Sequence, residues 1–141
     1  MTSSSRTLQH VGEWKVEVLG ATVEDLFVEL ARVIADAAGE AHPTSGPRGW
    51  ERVDVEGRDL ATLLVDWGNE LIGLGEVSGS GYAYVRDLHI VRKPSGLVGL
   101  TAEVAGDPVD PWISPLKAAT YHGAVVEHDD HDWRGVVLFD V

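Results

Sequence analysis

An α+β domain, with a mostly antiparallel sheet and two main helices packed on one face, is the fold class this sequence predicts. Three observations lead to it. Two segments in the first half of the chain carry apolar residues at helical spacing, each preceded by a short strand-like run. Beyond residue 80 no further helical pattern is written. The late strand-like runs follow one another across short turns, which favours hairpins over the helical crossovers that a parallel sheet requires.

In chain order, residues 1–8 read as a polar, flexible leader. From Glu13 to Leu19 the pattern alternates, with Trp14, Val16 and Val18 on one face and Glu13, Lys15 and Glu17 on the other, the signature of a half-buried strand. Thr22 then predicts an N-cap with Asp25 three residues on, and Val23, Leu26, Phe27, Leu30, Val33, Ile34 and Ala37 recur at helical spacing as far as Gly39. AHPTSGPRG is a loop by its prolines and glycines. A strand over Trp50–Val55 leads to Asp59, the expected cap of a second helix with an apolar stripe through Leu60, Leu63, Leu64, Trp67, Leu71 and Ile72. Gly68 interrupts that helix at a cost of about 1 kcal/mol relative to alanine, and the sequence does not say what offsets it.

GEVSGSG reads as a flexible connection, Tyr82–Val91 and Leu97–Val104 as a hairpin across KPSG, and DPVDPWISP as a proline-set loop in which Trp112 is a packing or contact residue. The closing stretch Leu116–Val141 reads as two strands joined by an acidic turn.

The 141 residues suit one domain over 1–141, long enough to bury about two-thirds of the surface of the unfolded chain. Cysteine is absent, which excludes disulfides, thiolate metal sites and cysteine nucleophiles and suits a cytoplasmic setting. No window approaches the ~18 apolar residues of a membrane span. With 23 acidic against 11 basic residues the formal net charge is -12, so direct contact with RNA or DNA is disfavoured. Neither the glycine-rich phosphate loops nor the GxSxG nucleophile elbow occurs.

Magnesium and calcium take hard oxygen ligands, and carboxylates gathered from distant segments supply them. Glu13 on the polar face of the first strand, Asp140 in the last, and the terminal carboxylate of Val141 are the candidates; the alternative is that both side chains are ordinary exposed strand residues. His128, Asp129, Asp130, His131 and Asp132 form the densest group of possible ligands, but they fall where a hairpin turns, and an Asp-rich turn needs no metal. Lys117 opens a strand that also carries Thr120, Tyr121 and His122, polar groups suited to a phosphate or carboxylate, against the alternative of a solvated lysine.

Three runs carry a resemblance: LKAATYHGAVVE from Leu116, WRGVVLFDV at the end, and LLVDWGNELI over Leu63–Ile72. Together, in their order along the chain, they are similar to the archease family, with its IKAxTYH-like strand, its V-x-F-D-[IV] ending and its LLVDWLNELL helix. The resemblance implies that family's α+β fold. It also implies a non-enzymatic role, as a protein cofactor that promotes guanylylation and multiple turnover of a GTP-dependent RNA-splicing ligase (RtcB type), touching RNA only through the ligase. By the same likeness Asp140 matches the acidic residue of the terminal strand, Lys117 the lysine of the TYH strand and Asp66 the aspartate of the VDW helix. Where the family writes DHTADxG this chain has Gln9 to Lys15: His10 is shared, Glu13 stands for the metal-binding aspartate and Gln9 for the leading one. The implied site is a divalent ion, calcium, magnesium or manganese, on Glu13, Asp140 and Val141, with Lys117, His122 and His10 contacting partner or nucleotide. Two alternatives are a chaperone-like modulator of a tRNA methyltransferase and a diverged metal-dependent hydrolase using the same carboxylates.

Overall fold

The computed structural model describes residues 3–10, 12–42 and 49–141, with the backbone alone at 8–10. The alternating run of the first half becomes β2 (Glu13–Gly20), and it pairs in antiparallel register with β1 (Ser4–His10). That pairing corrects the reading of the leader from Ser4 onward. The polar residues there gain a partner strand and a cation for Glu17, neither of which local composition reveals.

Helix α1 (Val23–Ala38) starts as expected: Asp25 N donates to Thr22 Oγ1 over 3.2 Å while Thr22 N donates to Asp25 Oδ2 over 3.1 Å, a reciprocal cap. After β3 (Glu51–Gly57), Asp59 caps α2 (Leu60–Ser78), accepting from Thr62 N at 2.8 Å. The helix runs through GEVS, the stretch read as a flexible connection, and Gly79 alone, at φ 69°, turns the chain into β4 (Ser80–Arg92). The reason is tertiary. A Cβ on Gly75 would lie 3.0 Å from the Trp112 ring, so glycine lets the proline-set loop close on the last turns of α2, which offsets its poor helix propensity.

The next strand, β5 (Val98–Pro108), returns across the expected KPSG turn. The chain ends in β6 (Ala118–His128) and β7 (Trp133–Asp140). The α+β class stands, with the described strands divided between two antiparallel sheets, one ordered β1-β2-β7-β6 and the other β3-β5-β4. Each helix touches strands of both sheets, and the helices touch one another. At the centre Trp67, fully buried, meets Phe27 edge to face at 6.3 Å and donates its indole N–H to the Phe27 carbonyl at 2.8 Å. Gly68 stands where α1 and β6 close on α2, yet a Cβ there would meet Leu30, Ala119 and Ile34 at 3.4, 3.5 and 3.7 Å, ordinary contact distances.

Candidate functional site

The register of β2 on β7 sets Glu13 directly opposite Asp140. Residues so opposed point to the same face with Cβ atoms about 4.5–5.5 Å apart. The neighbouring pair, Trp14 opposite Phe139, points into the core, so Glu13 and Asp140 share the outward face at one end of the four-stranded sheet. The backbone of His10 lies opposite Glu13 from β1, and Ala118 lies opposite Asp140 from β6. Just before β6, Lys117 N donates to the Asp140 carbonyl over 2.8 Å. Strand ends from both termini of the chain therefore meet at one place.

Two residues along the same face, Glu17 has a different environment. It is nearly buried, and it receives Arg134 Nε at 2.6 Å and Arg6 Nε at 2.9 Å, while Arg134 also reaches Glu127 at 3.0 Å. The hydrogen bond from Arg134, and then that from Arg6, hold the Glu17 carboxyl below the usual carboxylate range against the opposing effect of burial. Arg6, Glu17, Arg134 and Glu127 thus form one ion-pair row across all four strands. Among the described residues neither Glu13 nor Asp140 has an ion-pair partner. Like charges directly opposed on a sheet are destabilising, and two adjacent hard-oxygen donors without a counter-ion suit a divalent cation. Among the described residues no three His, Cys, Asp or Glu side chains are grouped to hold a metal.

The other expected contacts are placed unequally. Lys117 is exposed and adjoins Asp140 through its backbone. His122 is exposed in the bulged part of β6, between Thr120 and Val125, outside the register that pairs with Asp140. The His10 side chain lies outside the described residues. Asp66 accepts a hydrogen bond from the Tyr121 hydroxyl, and that carboxylate raises the tyrosine pKa, so the VDW aspartate ties α2 to β6. In the acidic turn, Asp129 Oδ1 accepts from His131 N and Asp132 N at 2.8 and 2.7 Å, and His128 stacks on Trp133 at 4.5 Å; the turn satisfies its own groups.

Asn69 was not singled out by sequence. Its Nδ2 donates to the Ala119 carbonyl at 3.0 Å and its Oδ1 accepts from Ala119 N at 2.8 Å. This two-bond clamp from α2 fixes the start of β6, and hence Lys117, beside Asp140. The one signal for it was an amide two positions after the buried Trp67.

A helix pair shared by two antiparallel sheets, with two directly opposed carboxylates at a sheet end that have no ion-pair partner among the described residues, defines a small α+β protein. The chain belongs to the Archease protein family (MTH1598/TM1083), whose model matches residues 6–141. It is 28% identical over 138 residues to the protein archease of Methanosarcina barkeri, covering 95% of this chain and 93% of that protein. The protein archease of Methanopyrus kandleri is likewise 28% identical over 138 residues, covering 95% and 96%. In fold, the chain is similar to the solution structure of Methanobacterium thermoautotrophicum protein 1598, with a TM-score of 0.77 at 18% identity and coverage of 97% and 98%. A crystal structure from Thermotoga maritima, described as an archease and possible chaperone, gives a TM-score of 0.51 at 20% identity, covering 96% of each chain. No helix among the described residues is long and apolar enough to cross a membrane.

Proposed function

We propose that this chain is a non-catalytic protein cofactor of a GTP-dependent RNA-splicing ligase of the RtcB type, working in the cytoplasm to promote guanylylation of the ligase and its repeated turnover. Family membership supports the role, and the opposition of Glu13 to Asp140 is the observation that carries the site. In this reading Glu13, Asp140 and the Val141 carboxylate hold calcium, magnesium or manganese, and the bound ion offsets phosphate charge at the nucleotide site of the ligase. Lys117, with His10 and His122, contacts the partner or its nucleotide; the Asn69 clamp, which fixes the start of β6 beside Asp140, supports Lys117 in that role. RNA stays on the ligase, in keeping with the net charge of -12.

The test is guanylylation of the cognate ligase with the wild type, with Asp140→Asn and with a short C-terminal extension after Val141. Stimulation by the wild type alone supports the reading, and a wild type without effect sinks it. If the extended protein stimulates normally, Val141 is removed from the ligand set. The likeness to the Thermotoga protein, a possible chaperone, favours one second reading, a chaperone-like modulator of a tRNA methyltransferase. In that case the purified methyltransferase keeps its activity on heating only when this protein is present.

A further inference from the structure

Two adjoining clefts open beside the first turn of α2, along the middle of β6 from Tyr121 to Val126. One, of about 420 Å3, is lined by Arg58, Leu60, Arg92, Ala124 and Val126 among others. The second, of about 440 Å3, is lined by Glu56, Thr62, Leu97 and Tyr121, and Arg58 borders both. The strands that contribute to these walls include β6, outermost in the four-stranded sheet, and β3, outermost in the three-stranded one. Outermost strands carry main-chain donors and acceptors that an added extended chain can pair with.

At the rim of the first cleft the charges, Arg58 and Arg92 against Asp59, run against the net charge of the molecule. Arg58 has a side chain 82% exposed and pairs loosely with Asp59 Oδ2 at 3.8 Å, while Asp59 Oδ1 accepts from the amide of Thr62. Arg92 has no ion-pair partner among the described residues, whereas Lys93 beside it is taken by Glu56. Two exposed guanidinium groups, of which Arg92 has no ion-pair partner among the described residues, therefore stand over an apolar floor of Leu60, Ala124 and Val126. At the far end the Tyr121 ring is 60% exposed and anchored through its hydroxyl to Asp66. An acidic chain is repelled by the rest of a surface of net charge -12 and attracted here, and guanidinium groups pair with carboxylates in a two-bond geometry. The apolar floor and the strand edges suit side chains and a peptide backbone better than a run of phosphates.

We infer that this groove docks an extended acidic segment of a partner protein, its carboxylates on Arg58 and Arg92 and an apolar side chain between them over Leu60 and Val126. The inference deepens the cofactor reading and rests on its premise that the chain acts on a partner protein, but it uses a surface separate from Glu13 and Asp140.

The experiment titrates the 15N-labelled protein with an acetylated hexapeptide of alternating glutamate and leucine, with its lysine-for-glutamate counterpart, and with hexauridylate. Saturable amide shifts at Arg58, Leu60, Arg92 and Val126 with the acidic peptide alone support the proposal. Arg58→Glu/Arg92→Glu is expected to weaken that binding by at least ~10-fold while leaving the thermal transition in place; should the double variant unfold, Arg92→Ala serves the same purpose. Absence of these shifts, an equal affinity in a folded variant, or shifts produced by hexauridylate in place of the peptide overturns it. Affinity for the intact ligase separates the two ideas. A ligase that binds neither wild type nor variant defeats the cofactor reading while the peptide titration still decides the groove, and a ligase that binds both equally defeats the groove alone.

Discussion

Replacing Glu17 by glutamine keeps the shape of the side chain and removes its charge from the middle of the ion-pair row. In the wild type the carboxylate is 7% exposed and takes hydrogen bonds from Arg134 at 2.6 Å and Arg6 at 2.9 Å. Hydrogen bonds to charged groups contribute about 1.5–3 kcal/mol each, and removing one member of a fully buried pair costs about 3–5 kcal/mol. Arg6 is 65% exposed and Arg134 35%, so water solvates both guanidinium groups once Glu17 is gone and discounts those figures. A loss of about 2 kcal/mol at pH 7 is expected, equivalent to roughly 6 °C in the thermal midpoint of a chain of this size.

The pH dependence gives the sharper check. Because the folded-state pKa of Glu17 lies below its ordinary value of 4.5, its stabilisation is present above that value and is lost as pH falls through the folded pKa. Urea unfolding of wild type and Glu17→Gln, compared at pH 7 and at successively lower pH, is expected to show the gap close in that acid window. A gap that stays constant down to the acid limit of folding would refute the assignment of the stability to the ionised carboxylate.

Three further outcomes are expected. Glu13→Gln relieves the repulsion between directly opposed carboxylates, so the protein in chelator is stabilised by about 0.5 kcal/mol and its thermal upshift with calcium or manganese shrinks, read by thermal melts with and without the ion. Gly68→Ala gains helix propensity at a position with room for the methyl group and raises stability by up to about 1 kcal/mol in urea; a loss would show that the Leu30 contact at 3.4 Å cannot give. Trp67→Phe removes the indole hydrogen bond to the Phe27 carbonyl and opens space at the centre of the core, for a loss of about 3 kcal/mol in the same assay, and a loss under about 1 kcal/mol would contradict that role.

What could be read ahead of the structure follows the range of the interactions. The caps of α1 and α2 lie within three residues of the groups they satisfy, so Thr22, Asp25 and Asp59 announce them. The alternation of β2 and the stripe of α2 are local periodicities of the same kind. The end of α2 was misread because the partner that makes Gly75 useful, Trp112, comes from a later loop. β1 was misread because SSRTLQH has little apolar content, and its order derives from the register with β2 and from Arg6 on Glu17. The candidate site was named from the family likeness of the terminal strands; residue chemistry alone left Glu13 and Asp140 as plausible bystanders.

By itself the sequence determined the α+β class, two capped helices, the late hairpins and the carboxylates available for a site. The tertiary structure alone decided that Glu13 faces Asp140, that Glu17 has two arginine partners while that pair has none among the described residues, that Asn69 clamps the strand carrying Lys117 to α2, and that Arg58 and Arg92 share a cleft. The physical reason is the same in each case. Caps and periodicities are written within a few residues, whereas strand register and the meeting of two sheets over a helix pair are settled only when the whole core packs, and it is these long-range pairings that give a charged side chain its neighbours.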